Sequence, residues 1–208
     1  MPAPKGIPQG NAFLVGNGFE SFGCQSFFWQ FTHPGPFSRT ARDSFRCFST
    51  FATRDPIMAR VRITKEFTFE TGHALYGYDG KCRNVHGHSY HLSVTVIGTP
   101  IAEDGAVKLG MVMDFGDLKK VVREEVVDRF DHATIFNRNT PHVELARTLE
   151  REGHRVILAD YQPTSENMVV DFAHRISKRL PEHIRLHSLR LRETGTAYAE
   201  WFASDNPD

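Results

Sequence analysis

Two histidines separated by one glycine, His86-Gly87-His88, form the densest set of metal-ligating side chains in the chain. On an extended strand, side chains two residues apart leave the same face. Two imidazoles about 6–7 Å apart along such a strand can share one ion. His73 lies thirteen residues upstream, at the end of another strand-like segment, where a hairpin partner would bring it to the same end of a sheet. Three neutral imidazoles with an open fourth position describe a catalytic zinc site. Cys82 lies four residues before His86. Spacing alone allows it to be a fourth ligand of a structural Cys-His₃ site, or an unligated thiol made acidic by the nearby dication. Further on, Asp131-His132 places a carboxylate next to an imidazole, which can serve as a proton-transfer pair or as an ordinary loop turn. The eleven histidines are the unusual feature of the composition; His91, His142, His154, His174, His183 and His187 are read as surface or packing residues.

The elements that must carry these residues are legible downstream of Met58. From Arg60 to Glu70 the alternation is strict, with Val61, Ile63, Phe67 and Phe69 on one face, which predicts a half-buried strand. His88–Ile97 predicts a second, with Tyr90, Leu92, Val94 and Val96 on one face. Asp117–Phe130 reads as a helix with Leu118, Val122, Val126 and Phe130 every four residues. Asp131–Asn139 reads as loop. Thr140-Pro141 reads as the N-cap and first residue of a short helix to about Glu152, and residues 155–160 as a short strand. Thr164 or Ser165 caps a helix with Met168, Phe172, Ile176 and Leu180 on one stripe, stopped by Pro181. Arg185–Arg192 and Thr196–Phe202 are the last strands, with Gly195 at the turn. Strand pairs at both ends favour hairpins, so the fold class is α+β, a four-stranded antiparallel sheet with helices packed on one face.

Residues 1–57 differ in kind. They hold ten of the 17 Phe and six of the 11 Pro but only four Leu, Ile or Val, and no apolar period survives across them. The expectation is a disordered extension or a start codon assigned too early. The poverty in acids also fits a transit peptide, although no Arg precedes Arg39. Cys24, Cys47 and His33 fall here and are given no role. Residues 58–208 form the folded domain, with 20 basic and 22 acidic residues. The whole chain, 208 residues, carries 25 Lys and Arg against 25 Asp and Glu. That balance gives no electrostatic footprint for nucleic acid. No apolar run approaches the ~20 residues of a membrane span. Three cysteines make no disulfide framework, which favours a reducing compartment and a cytoplasmic location.

The motifs resemble those of the 6-pyruvoyl-tetrahydropterin synthase family. Phe67-Thr68-Phe69-Glu70-Thr71-Gly72-His73 is similar to its F-x-F-x-x-x-H entry, and Cys82 to His88 to its Cys and His-Gly-His signature. Met113-Asp114-Phe115 with Leu118-Lys119, Asp131-His132, Pro163-Thr164-Ser165-Glu166-Asn167 and Arg192-Glu193-Thr194 follow in the family order. The short spacer between Cys82 and His86 looks like the bacterial 6-carboxy-tetrahydropterin synthases of queuosine (7-deazaguanine) biosynthesis. Cys82, where a folate-related branch has glutamate, argues against that branch. The stretch at about 137–160 looks like an insertion.

The resemblance implies a four-stranded antiparallel sheet of the tunnelling-fold (T-fold) type, assembled into homo-oligomeric barrels, tetramer or hexamer, with sites at subunit interfaces. It implies a Zn²⁺ cofactor on His73, His86 and His88, and catalysis by Cys82, Asp131 and His132. Pterin binding falls to Glu193, with smaller parts for Thr164 and Ser165. The implied substrate is the small molecule 7,8-dihydroneopterin triphosphate, cleaved to 6-carboxy-tetrahydropterin, acetaldehyde and triphosphate. Two other reactions would use the same residues: elimination of triphosphate to 6-pyruvoyl-tetrahydropterin, and aldolase-like side-chain cleavage. A non-catalytic metal-binding domain is the rival of another class.

Overall fold

In a computed structural model the described residues are 59–207; the expectations for residues 1–57 lie outside them. Strand β1 (Val61–His73) turns Phe67, Phe69, Thr71 and His73 to one face, and the last three of these are buried. Strand β2 (His86–Gly98) buries Tyr90, Leu92, Val94 and Val96 on the same side. The two pair antiparallel along their whole length, with Thr71 opposite His88 and His73 opposite His86. The hairpin therefore carries its apolar rows under the helices and ends that same face in three imidazoles. Between the strands, Lys81–Arg83 form a single 3₁₀ turn.

The expected four-stranded antiparallel sheet is present but is only part of the whole. Strand β5 (Arg185–Arg192) pairs antiparallel with β2, and β6 (Tyr198–Phe202) antiparallel with β5. Two further strands, β3 (Ala133–Asn137) and β4 (Val156–Ala159), join beyond β1 in parallel, giving one mixed six-stranded sheet in the order β4-β3-β1-β2-β5-β6. β3 replaces the expected loop. Its Ile135 joins the main core while the adjacent Phe136 joins a second cluster with Ala74 and Ala146. A strand covered on both faces shows no apolar–polar alternation, which is why periodicity misses it. Successive side chains point to opposite faces, so α3 (His142–Arg151), which supplies Ala146, covers the face away from the main core. The helices therefore do not all share one face. The stretch read as an insertion is a strand–helix–strand unit added to the sheet edge.

Helix α1 (Phe115–Val122) starts two residues earlier than expected because the Asp114 carboxylate caps it, accepting the Gly116 N–H at 2.6 Å. It passes through a π-helical stretch, Arg123–Val127, into α2 (Asp128–Phe130). An apolar spacing of four exceeds the 3.6-residue period, so its stripe would drift around an ideal helix. The wider turn keeps Val122, Val126 and Phe130 all in the core. Thr140 does not cap α3; its hydroxyl donates to the Asn137 carbonyl at 2.8 Å. Thr164 does cap α4 (Ser165–Ser177), accepting the Asn167 N–H. α4 packs Met168, Phe172 and Ile176 against the sheet, each fully buried. No helix among the described residues is long and apolar enough to cross a membrane.

Candidate metal centre

His73, His86 and His88 converge at the end of the β1–β2 hairpin, with one ring nitrogen from each lying within 4.8 Å of the other two. His73 is buried, and its Nδ1 lies 2.6 Å from the carbonyl oxygen of Pro163, just before α4. His86 Nδ1 lies 2.8 Å from the Asn84 carbonyl oxygen. A carbonyl only accepts, so both Nδ1 atoms carry the proton, and each Nε2 then presents a bare lone pair. These two Nε2 atoms face each other at 3.1 Å. Two lone pairs cannot hydrogen-bond one another; a cation between them resolves the contact. His88 Nε2 is buried without a hydrogen-bond partner. The carbonyl-fixed tautomers are the outer-shell support typical of metal-bound histidine. Burial lowers the pKa of His73 and of His88, which favours the neutral, ligating form.

The lining has a second tier. Tyr90, fully buried, donates its hydroxyl to Glu193 Oε1 at 3.1 Å and sets its ring edge-on to His88 at 5.6 Å. Burial, reinforced by the Glu193 charge, pushes the Tyr90 hydroxyl far above its ordinary pKa, so it stays a donor. Glu193, at the end of β5, thus stands at the imidazoles. Cys82, on the 3₁₀ turn, is half-buried and outside the metal-ligating cluster. Gly87 lets β2 lie close to β1, because a Cβ there would stand 3.3 Å from the Thr71 carbonyl oxygen.

Asp131 and His132 are brought to each other but not to the imidazoles. They lie between α2 and β3, on the edge of β1 away from β2. Asp131 Oδ1 accepts the Glu70 N–H at 2.9 Å and lies 2.9 Å from His132 Nδ1. The Glu70 N–H, ahead of the His132 ring, holds the Asp131 carboxyl below its usual range. His132 adopts φ 58°, in the left-handed region, and its side chain is 77% exposed. Thr164 spends its hydroxyl on the α4 cap, and Ser165 is nearly buried beneath it. Among the other residues, His91 faces outward as expected, Phe136 is core, and Phe115 is half-exposed. His142 packs between the Tyr76 and Phe136 rings. Sequence reasoning missed Tyr90 and the two orienting carbonyls of Pro163 and Asn84. Backbone acceptors leave no mark on residue type; the phenol on the histidine face of β2 was the only available sign.

A sheet hairpin ending in three inward imidazoles, one of them oriented by the residue leading into a helix, forms a candidate metal centre. Residues 62–203 match the family model described as 6-pyruvoyl tetrahydropterin synthase, and the chain belongs to that family. It is 36% identical over 141 residues to a protein of Haemophilus influenzae named 6-carboxy-5,6,7,8-tetrahydropterin synthase, covering 67% of this chain and 97% of that one. A protein of the same name from Aquifex aeolicus is 30% identical over 161 residues, covering 67% and 96%. Among solved structures, an uncharacterized protein from Wolinella succinogenes has a TM-score of 0.57 at 21% identity, covering 69% of this chain and 98% of its own. The 6-pyruvoyl tetrahydropterin synthase of Caenorhabditis elegans has a TM-score of 0.50 at 23% identity, covering 70% and 96%. These two likenesses concern the fold.

Proposed function

We propose that this chain is a zinc-dependent 6-carboxy-tetrahydropterin synthase. It converts 7,8-dihydroneopterin triphosphate and one water to 6-carboxy-5,6,7,8-tetrahydropterin, acetaldehyde and triphosphate, in queuosine biosynthesis. The observation that carries the reading is the facing Nε2 pair of His73 and His86 beside the orphan Nε2 of His88. It stands in a family whose sequence relatives bear that enzyme's name.

Zinc suits three imidazoles, and when bound it supplies Lewis acidity toward the oxygens of the substrate side chain. The chain's own groups do the rest. Cys82, as thiolate, takes a proton from a hydroxyl-bearing carbon, a task that needs a base near neutral pKa. Asp131 holds His132 in one orientation, and His132 relays protons to and from the side chain or the thiol. Glu193 accepts the pterin N3–H and 2-amino hydrogens, a planar match for a carboxylate. Ser165 and the first N–H groups of α4 give further polar contacts.

The exposure of His132, on the β1 edge away from β2, supports a site completed by a second copy of the chain, hence a homo-oligomer. The activity belongs in the cytoplasm, where a catalytic thiol stays reduced. The domain that performs it is residues 58–208. The zinc-loaded protein is expected to consume 7,8-dihydroneopterin triphosphate, to stop when a chelator strips the metal, and to resume when zinc is restored. Absence of turnover in the fully loaded protein contradicts the reading.

A further inference from the structure

His86, His88 and Tyr90 stand two residues apart on β2, so one strand face carries two imidazoles and then a phenol. Tyr90 pairs across the hairpin with Phe69, is fully buried, and stacks on that ring with centroids 5.6 Å apart. Its hydroxyl lies 3.1 Å from Oε1 of Glu193, one residue past β5. An ionised carboxylate only accepts, so the phenol donates. Among the described residues this is the only hydrogen bond made by the Glu193 carboxylate. The Nε2 atoms of His73 and His88 stand 3.7 Å from Oε1, beyond hydrogen-bond reach.

The recognition assigned to Glu193 makes a geometric demand. The pterin N3–H and 2-amino group are parallel donors in one plane, so the carboxylate has to present both oxygens at a fixed angle. An ionised carboxylate has about four acceptor sites; Tyr90 takes one, and both oxygens stay able to accept. An unheld Glu side chain would lose binding energy in giving up its rotamers. Glu193 is instead ordered from both ends. The Tyr90 hydroxyl holds its tip, and its backbone N–H donates to the Ala197 carbonyl at 3.1 Å. Thr194 Oγ1 closes the same turn by accepting the Ala197 N–H at 3.1 Å.

We propose that Tyr90 is a positioning residue for pterin recognition, its hydroxyl holding Oε1 of Glu193 so that both carboxylate oxygens meet the N3–H and 2-amino edge of the ring. Tyr90 acts through Glu193. Because it shares the β2 row with His86 and His88, the strand spacing sets how far that edge stands from the metal-binding imidazoles. The inference rests on the pterin role given to Glu193 above and holds for either product.

The test uses the full-length, zinc-loaded protein and neopterin, which has the pterin edge but no phosphates, as the probe. Tyr90→Phe, which keeps the ring packing, is expected to weaken neopterin binding about tenfold, the low end for a hydrogen bond to a charged group. With 7,8-dihydroneopterin triphosphate the loss is expected in KM rather than in kcat, the pattern of lost ground-state binding. Glu193→Gln is expected to remove most of the neopterin affinity, and Tyr90→Phe added to it to cost little more, because groups acting as a unit are not additive. Unchanged affinity in Tyr90→Phe, a loss that simply adds to that of Glu193→Gln, or a loss that tracks depleted zinc overturns the positioning role. Should Tyr90→Phe fail to fold, the wild-type protein carrying ring-fluorinated tyrosine decides: a buried tyrosine's fluorine resonance is expected to move as neopterin binds, and no such movement overturns the role. A wild-type protein that binds no neopterin overturns the pterin role of Glu193 as well.

Discussion

At the scale of single residues, Cys82 separates a catalytic site from a structural one. The three histidines make a cluster that does not include the Cys82 sulfur. The function proposed above gives that thiol the part of the base. Cys82→Ala is therefore expected to keep full zinc content and an unchanged melting temperature while turnover falls by about 10²–10⁴-fold, the range of a lost general base. Metal analysis and kinetics on one preparation check this. Loss of zinc together with loss of fold would assign Cys82 to the coordination shell. The triad was legible in sequence because one strand parity fixes His86 and His88, and one hairpin adds His73. The contact between Tyr90 and Glu193 was not, since it joins β2 to the end of β5 across 103 positions.

At the scale of elements, the β1–β2 hairpin and the residue leading into α4 trap His73 as a neutral ring. Desolvation is the main cause that brings its pKa below the ordinary 6.5, and the same holds for His88. A folded pKa below the unfolded one means that the unfolded chain binds more protons in that range, so stability rises with pH there. The contribution is complete above the unfolded value of 6.5 and is lost as pH falls through the depressed folded values. Urea unfolding of the metal-free protein is expected to show a midpoint that is level above about pH 7 and declines below about pH 6.5. In His73→Gln the decline is expected to be shallower. A midpoint that rises on acidification contradicts the assignment.

The same scale shows where patterns in the chain stop being informative. β1, β2, β5 and β6 each have one dry face and announce themselves by alternation or near-alternation. β3, sandwiched between the main core and α3, carries no such mark and was read as loop, whereas β4 falls within the short strand read over 155–160. The π-helical stretch is likewise set by tertiary packing, with Glu125, nearly buried, held by Arg179 at 2.7 Å. The Asp131-His132 pairing was readable from adjacency, but its place on the β1 edge away from β2 depends on β3, which was not.

At the scale of the whole molecule, the proposed relay predicts a site completed by a second copy of the chain. Cys82 lies on the β1–β2 connection and His132 along the other edge of β1. Light scattering is expected to report a homo-oligomer; a monomer that turns over substrate would remove His132 from the relay. The reaction itself is the larger question, because a pyruvoyl-forming and a carboxy-forming enzyme of this family would present the same histidines. Their carbon accounting differs. The most direct measurement is product analysis by mass spectrometry after the zinc-loaded protein has acted on 7,8-dihydroneopterin triphosphate. The account predicts 6-carboxy-5,6,7,8-tetrahydropterin with acetaldehyde and triphosphate in equal amounts; 6-pyruvoyl-tetrahydropterin and triphosphate without acetaldehyde would contradict it.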